Sequence, residues 1–281
     1  MKKVGLVLSG GAAYGLAHIG IIKVLRENNI PIDVITGTSM GALIGGLYAA
    51  GISTNKMEEI LIKFTRRMII DIDIFAISRG GLLHGKKVVK FLQSLVGDIN
   101  IEDLETPFCA IASDIAAGEK CVLDKGSLVQ AIRASISIPG VFKPVIIGKK
   151  CLVDGGACGN LPVEEARMLG AEKVIGIDVC SNYKKNFNLK SAVDVVVSSS
   201  NLLIKTLVEA QKDKGDVYIN IDQPNVEQDK LYYENSKKAI KNGEKAAVKA
   251  LPEIKKMLGI KDGSSPKPKR ATNVKKVKDS K

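Results

Sequence analysis

A serine between two glycines is the feature of this sequence most suited to chemistry. The segment Gly37–Gly41 reads Gly-Thr-Ser-Met-Gly, with Ser39 at its centre, and it lies between a predicted strand and a predicted helix. A nucleophile elbow requires this context, because the chain turns so sharply that a Cβ on either side would collide with its neighbours. The serine hydroxyl would stand at a helix N-terminus, where partial positive charge favours an oxyanion. The alternative is an ordinary turn in which the serine caps the helix.

A second glycine-rich segment follows the first predicted strand. It contains Gly10, Gly11 and Ala12. The dinucleotide-binding pattern G-x-G-x-x-G fails on spacing, because its middle glycine would fall on Ala12. No acid ends the second predicted strand, where a ribose would be held, since Asp33 lies at its start. Consecutive N–H groups of such a loop can instead form an oxyanion hole, which fits a serine nucleophile on the adjacent strand.

A carboxylate follows another predicted strand. Asp154 comes directly after the apolar segment Cys151–Val153 and is followed by Gly155 and Gly156. It would therefore point out of the carboxyl edge of the sheet, where α/β folds assemble their sites. The alternative is an aspartate that only initiates a turn.

The serine needs a base to take its proton. The chain has two histidines: His18 lies inside a predicted helix, where packing is its expected role, and His84 lies in an irregular stretch. A Ser-His-Asp triad therefore has weak support. Asp154 is a poor base at the ordinary carboxyl pKa of about 3.9, but burial in an apolar site would raise that pKa.

The elements around these segments predict an α/β fold. Short apolar runs alternate with helical stretches, which is typical of a parallel sheet covered by helices. Strands are predicted at Val4–Leu8, Ile32–Ile35, Phe108–Ser113, Lys120–Leu123, Cys151–Val153, Lys173–Asp178 and Val217–Ile221. Helices are predicted at about Leu16–Asn28, from the end of the segment Gly37–Gly41 to about Ala50, from an Asn55 N-cap to Arg67, and at Lys86–Leu95, Leu189–Asp213 and Leu231–Leu258.

Composition indicates a folded globular protein. The 281 residues are 45% hydrophobic and 26% charged. No apolar run reaches the roughly 18 residues that a membrane-spanning helix needs. The apolar run near the N-terminus breaks at Ser9, which argues against export. The five cysteines are odd in number and contain no CxxC pair, so a cytoplasmic location is predicted.

The last residues differ in composition from the rest. Residues 261–281 contain eight basic residues and two acids, which leaves +6, half of the formal net charge of +12. With little apolar content, this tail is predicted to be disordered, so residues 1–260 would form one domain. The tail could be merely solubilising, or it could make a peripheral contact with an anionic membrane. No nucleic-acid partner is expected, because neither interleaved aromatics nor finger spacing accompanies the charge.

Taken in order, these segments resemble those of patatin-like phospholipases, in the compact form of bacterial stand-alone members. Val4–Leu25 resembles the opening strand, glycine loop and helix of that family. Arg133–Val145 resembles its central signature, and Asp154–Gly156 with Asn160–Val163 resembles its catalytic-aspartate block. The resemblance covers roughly residues 4–221.

This resemblance implies a three-layer α/β/α sandwich with a mostly parallel central sheet. It also implies a Ser-Asp dyad without histidine that hydrolyses acyl esters of lipids, as a phospholipase A or lysophospholipase does, with neither a metal nor another cofactor. Ser39 would attack the ester carbonyl, and Asp154 would act as base and then help to deliver water. The N–H groups of Gly10, Gly11 and Ala12 would hold the oxyanion.

The glycine loop departs from the family pattern at two positions. Ala12 stands where the family has its third glycine, and Tyr14 where it has a basic residue. Alanine keeps the N–H but resists positive φ. Arg133 is expected to be structural rather than catalytic. Two alternatives to a lipid hydrolase remain: a non-catalytic lipid-binding or regulatory module, and a water-soluble esterase or thioesterase of the same fold.

Overall fold

Strands and helices alternate along the chain in the computed structural model, which describes residues 2–62, 83–180, 192–227 and 233–260. The strands are β1 Val4–Leu8, β2 Val34–Thr38, β3 Phe108–Asp114, β4 Glu119–Leu123, β5 Val145–Ile147, β6 Lys150–Asp154, β7 Lys173–Asp178 and β8 Val217–Asn220. The α-helices are α1 Ala17–Glu27, α2 Met40–Ala49, α3 Thr54–Ile62, α4 Lys86–Val96, α5 Leu128–Ser135, α6 Val163–Met168, α7 Ala192–Gln211 and α8 Tyr233–Leu258.

One sheet holds the described strands together, in the order β5-β6-β3-β2-β1-β7-β8, with β4 also paired to β3. The five strands from β3 to β8 in this order are parallel to one another. The pairs β3–β4, β3–β6 and β5–β6 are antiparallel. The predicted α/β class with a mostly parallel sheet is confirmed.

Helices cover both faces of this sheet. Leu6 and Leu8 belong to the larger apolar cluster, to which α1, α2 and α8 contribute. Val7, between them, belongs to a second cluster with Val163 of α6 and Val208 of α7. Because successive strand side chains point to opposite faces, the two clusters are the two interfaces of a three-layer sandwich.

Several element boundaries differ from the predictions for local reasons. β2 begins at Val34 rather than Ile32 and continues to Thr38, because Gly37 and Thr38 pair with β3. The cap of α3 is Ser53 rather than Asn55, since the Lys56 N–H donates to Ser53 Oγ at 3.2 Å.

Three elements were not predicted: α5, β5 and α6. A recognisable capping serine precedes α5, because Ser127 Oγ accepts from the Gln130 N–H. The end of the helix predicted to Arg67, the beginnings of the helices predicted from Leu189 and Leu231, and the basic tail lie outside the described residues. Among the helices of the described ranges, none combines the length and the hydropathy required to span a bilayer.

Candidate active site

Ser39 occupies a strained turn between β2 and α2. Its φ of 54° and ψ of −120° are unusual for a residue with a Cβ. The turn is held by the Ser39 N–H, which donates to Ser135 Oγ at 2.8 Å. A Cβ on Gly37 would lie 2.5 Å from the Gly41 carbonyl, and a Cβ on Gly41 would lie 2.1 Å from the Leu8 oxygen. The two glycines are therefore required by the close approach of the backbone, as the sequence pattern predicted.

Asp154 reaches Ser39 through the pairing of β3. Thr38, at the end of β2, pairs with Ile111, and Asp154, at the end of β6, pairs with the next residue, Ala112. Because β4 runs along one edge of β3 at Ala110–Asp114, β2 and β6 share the other edge. The two strands therefore meet end to end, and the residues at their ends become neighbours.

The Asp154 carboxylate is buried and accepts hydrogen bonds from the Ser39 side chain and, at 2.9 Å, from the Gly156 N–H. Its backbone is fixed as well, since its N–H donates to the Ser137 carbonyl and its carbonyl accepts from Ser113 Oγ, both at 2.9 Å. Burial raises the pKa of Asp154 to about 6, although the two hydrogen bonds oppose the shift. The carboxylate is therefore a stronger base than an exposed aspartate and is still ionised at neutral pH.

The two glycines after Asp154 allow the turn to pack tightly. A Cβ on Gly155 would lie 2.2 Å from the Ile111 carbonyl oxygen. A Cβ on Gly156 would lie 2.8 Å from Cδ1 of Ile204 in α7. A larger residue at Gly155 would force backbone to move at the turn that carries the carboxylate, whereas one at Gly156 would displace the end of the Ile204 side chain.

The glycine loop lies directly against the serine. A Cβ on Gly10 would come within 3.0 Å of Ser39 Cβ. The Gly10 N–H already donates to Asn160 Oδ1 at 3.1 Å, whereas no residue in the described part of the chain accepts a hydrogen bond from the N–H of Gly11 or Ala12. Ala12 has a φ of 47°, so this alanine adopts the conformation that glycine would take more easily. Two of the three predicted oxyanion donors thus have no hydrogen-bond partner among the described residues, and the third is held by a side chain.

His18 anchors the same loop from beneath. Its ring is buried, and Nε2 donates to the Ser9 carbonyl at 2.8 Å. Nδ1 has no partner among the described residues. Burial lowers the pKa of His18 to about 4, so the ring is neutral. The ring is thus bonded to the loop backbone, whereas the group that bonds to the Ser39 hydroxyl is the Asp154 carboxylate.

Arg133 fastens the segment that precedes β5. Its buried guanidinium donates to Ser137 Oγ at 2.5 Å and to the carbonyls of His84 and Lys143, and it lies 4.7 Å from the centroid of the Phe142 ring. Ser137 in turn binds the Asp154 backbone, so Arg133 acts on the site through that serine. This geometry agrees with the structural role expected for Arg133. The exposed His84 contributes only its backbone carbonyl.

An apolar cavity of about 120 Å³ opens beside Ser39. Every described lining residue except Ser39 has an apolar side chain. They are Ala12, Leu16, Met40, Leu43, Leu61, Val88, Phe91, Leu92, Ile136, Ile138 and Phe142. The sequence gives no separate signal for this lining, because the same residue types at the same helical spacing also build a core.

Asn160 and Ser135 are site residues that the pattern-based reasoning did not assign. Both lie in segments that resemble family signatures, which was the available signal. Their roles depend on contacts with Gly10 and Ser39, which are far away in sequence. Within the described ranges, no group of three or more His, Cys, Asp or Glu side chains is arranged to hold a metal ion.

Comparison with known proteins identifies similar chains. The family model described as patatin-like phospholipase matches residues 6–167, more than half of the chain. An uncharacterized NTE family protein of Mycobacterium tuberculosis is 37% identical over 177 residues, which cover 63% of this chain and 49% of the relative. The neuropathy target esterase of Drosophila melanogaster is 36% identical over 187 residues, covering 64% of this chain and 13% of the relative. A lysophospholipase of Emericella nidulans is 36% identical over 186 residues, covering 64% and 12%.

Among solved structures, VipD from Legionella pneumophila has a similar fold. Its TM-score is 0.51 at 15% sequence identity, and the match covers 90% of this chain and 67% of VipD. At this identity the likeness concerns the fold alone. The chain spans about half the length of the mycobacterial relative and a much smaller part of the other two.

Proposed function

Because this chain belongs to the patatin-like phospholipase family, as its sequence resemblance predicted, we propose that it is a serine hydrolase of lipid acyl esters. The observation that carries the proposal is the hydrogen bond between Ser39 and the buried Asp154 at the mouth of an apolar cavity. Two relatives are named an esterase and a lysophospholipase, which favours a phospholipid or lysophospholipid ester as substrate.

In the first half of the reaction, Ser39 Oγ attacks the ester carbonyl and Asp154 accepts the hydroxyl proton. The N–H groups of Gly11 and Ala12 donate to the oxyanion that develops on the carbonyl oxygen. Gly10 supports this hole indirectly, because Asn160 holds its N–H and thereby orients the peptide units that follow. Collapse of the tetrahedral intermediate breaks the bond to the alcohol, which takes the proton from Asp154 and leaves an acyl group on Ser39.

In the second half, a water molecule attacks the acyl carbon and Asp154 accepts its proton. The bond to Ser39 then breaks, Oγ regains the proton, and the fatty acid is released. The apolar cavity suits the acyl chain, which would be buried beside Met40 and Leu43 while its ester lies at Ser39.

The test is covalent labelling combined with two substitutions. A fluorophosphonate probe should label the protein on Ser39. Ser39→Ala and Asp154→Asn should each lower the hydrolysis of a lysophospholipid by about 10³-fold or more, as losses of triad members do in serine hydrolases. Ser94→Ala, which changes an exposed serine on α4, is the matched control and should keep full activity.

Circular dichroism shows whether the variants are folded. Substantial turnover by a folded Ser39→Ala or Asp154→Asn protein would refute the dyad. Absence of labelling in the parent protein would instead favour the non-catalytic alternative. Hydrolysis of short soluble esters without any turnover of lipid would favour the soluble esterase.

A further inference from the structure

The hairpin of β5 and β6 projects beyond the carboxyl edge of the sheet. Leu152 pairs with Asp114, the last residue of β3, so the residues of β6 that precede Leu152 extend past the end of that strand. At about 3.3 Å per residue, Lys150 stands roughly 13 Å beyond Asp154 along the strand. Ser39 lies at the same edge of the sheet, so the tip of the hairpin rises next to the active-site side of the molecule.

An exposed apolar row crosses this hairpin. Ile146 pairs with Cys151, and the Ile115 N–H donates to the Cys151 carbonyl at 3.0 Å on its other side. Residues directly opposite in antiparallel neighbours point to the same face, so Ile146 and Cys151 share a face of the hairpin, and Ile115, the first residue after β3, lies beside Cys151. Ile115 is 58% exposed and Ile146 is 67% exposed. We refer to Ile115, Cys151 and Ile146 as the isoleucine strip.

The surroundings of the strip are basic. Residues 143–150 contain three lysines and no acid, and Lys143, Lys149 and Lys150 are all exposed. Asp114 is buried, and its Oδ1 accepts hydrogen bonds from three backbone N–H groups. Glu119 is an exposed acid close to Lys150. The hairpin therefore combines exposed apolar side chains with an excess of positive charge.

The residues on either side of β5 disfavour pairing of its outer edge with a second copy of this chain. In an antiparallel pairing of two copies centred on Ile146, Lys143 of one copy would face Lys149 of the other. Pro144 also removes a backbone donor just before the strand. Lysine and proline at the edge of a sheet hinder the pairing of that edge with another strand. A partner that supplies negative charge suits this surface better than a second copy does.

The hairpin also follows closely, in sequence, a residue that lines the cavity at Ser39. Phe142 lines that cavity, and β5 begins three residues later, at Val145. We propose that the isoleucine strip and its flanking lysines dock this chain on an anionic lipid surface, at the carboxyl edge of the sheet where Ser39 also lies. Insertion of apolar side chains combined with attraction of lysines to anionic headgroups is the usual basis of such peripheral binding. The choice of lipid as partner rests on the proposed function.

The test measures binding without catalysis. Full-length protein carrying Ser39→Ala is sedimented with vesicles of equal parts phosphatidylcholine and phosphatidylserine, with and without the pair Ile115→Ser and Ile146→Ser. We expect the pair to lower the partition coefficient by about tenfold, in low and in high salt, because it removes apolar contacts.

Lys143→Gln with Lys149→Gln should lower binding at low salt only. Met168→Ser is the matched control, since Met168 is 77% exposed but lies before β7, at the opposite edge of the sheet.

Equal binding of the parent and the folded double variant at both salt concentrations would overturn the proposal. If the double variant does not fold, Ile146→Ser alone serves the same comparison, with an expected loss of about threefold. A parent that is dimeric by light scattering and becomes monomeric on substitution would assign the strip to a second copy and overturn the lipid assignment.

Hydrolysis of a soluble ester separates this proposal from the proposed function. With Ser39 restored, the double variant should hydrolyse such an ester at the parental rate, because neither isoleucine lines the cavity. If the parent hydrolyses no ester at all, the proposed function fails while the vesicle measurement still decides the role of the strip.

Discussion

At the scale of single residues, the raised pKa of Asp154 predicts how activity depends on pH. The base must be ionised to accept the Ser39 proton, and its pKa is about 6. We therefore expect kcat/KM for a soluble ester to be half-maximal near pH 6, to level off above about pH 7, and to fall about tenfold per pH unit below about pH 5. A pH–rate profile checks this. If kcat/KM instead falls only near pH 4, Asp154 is not the base, and the group that titrates is one with a pKa near 4, such as His18.

The same pKa predicts a change in stability with pH. Because the folded protein holds the Asp154 proton more tightly than the unfolded chain, this residue lowers the free energy of unfolding as pH rises from about 4 to about 6. Asp154→Asn removes this dependence. We expect the variant to gain about 3 kcal/mol relative to the parent across that range, at roughly 1.4 kcal/mol per pKa unit. Urea denaturation at several pH values measures the difference, and a difference that stays constant would contradict the burial of the charge.

His18 acts in the opposite direction over a similar range. Its pKa falls from 6.5 to about 4 on folding, so its contribution to stability is full above pH 6.5 and is lost as pH falls toward 4. In the parent protein the two buried groups therefore largely offset each other. The comparison between Asp154→Asn and the parent isolates the aspartate because His18 is common to both.

Ala12 provides a third test at this scale. Its φ of 47° places a Cβ in the left-handed region, where strain reaches about 1–3 kcal/mol. Ala12→Gly should relieve that strain and give equal or higher kcat, since the Ala12 N–H is one of the proposed oxyanion donors. Steady-state kinetics on a soluble ester, with denaturation to confirm a higher stability, measures both effects. A clear drop in kcat would mean that the methyl group is needed in the cavity and that the loop is adapted to alanine.

At the scale of elements, glycines set the distance between α1 and α8. A Cβ on Gly243 of α8 would lie 2.0 Å from the Ala17 oxygen, and a Cβ on Gly20 of α1 would lie 2.2 Å from the Ile240 oxygen. Both clashes involve backbone, so neither can be relieved by rotating a side chain. The contact between these helices therefore depends on two residues that lower the helix propensity of each one.

Gly243→Ala should accordingly destabilise the protein. Alanine gains about 1 kcal/mol of helix propensity, but overpacking costs about 1–3 kcal/mol when the backbone must move. We expect a net loss in the free energy of unfolding, measured by urea denaturation. Lys249→Ala, an exposed substitution on the same helix, is the control and should be neutral or slightly stabilising. A stabilised Gly243→Ala protein would show that the two helices can separate at no cost.

At the scale of the whole molecule, the tail predicts a second, salt-sensitive component of membrane binding. Residues 261–281 carry +6, and each basic residue near an anionic leaflet contributes at most about 1 kcal/mol. Truncation after Ile260 should reduce co-sedimentation with anionic vesicles at low salt and leave hydrolysis of a soluble ester unchanged. The reduction should vanish in high salt, where screening shortens the Debye length below about 8 Å. Equal binding of both forms at low salt would leave the tail a solubilising role.

The division of the chain into residues 1–260 and a tail, and the cytoplasmic location, remain predictions from composition and cysteine usage. All five cysteines are free thiols. Burial raises the pKa of the Cys109 and Cys180 thiols well above the ordinary value, so these two sites are unreactive.

Local rules were sufficient for part of this protein. The need for glycine at Gly37 and Gly41, the class of the fold and the core of most strands follow from patterns that span a few residues, because sterics and hydrophobic periodicity act at short range. The predicted strand Lys173–Asp178 agrees with β7 residue for residue. The elements that were missed, α5, β5 and α6, are short, and their patterns are correspondingly weak.

Tertiary structure alone decided the rest. Asn160 binds the Gly10 N–H across 150 residues, and Ser135 holds the Ser39 turn across 96. The pKa of Asp154 depends on how deeply β6 carries it into the protein. The cavity, likewise, exists only where apolar side chains from several helices leave a gap beside Ser39. Such contacts are set by how whole elements pack, and this packing depends on shapes and burial that no short window of sequence contains.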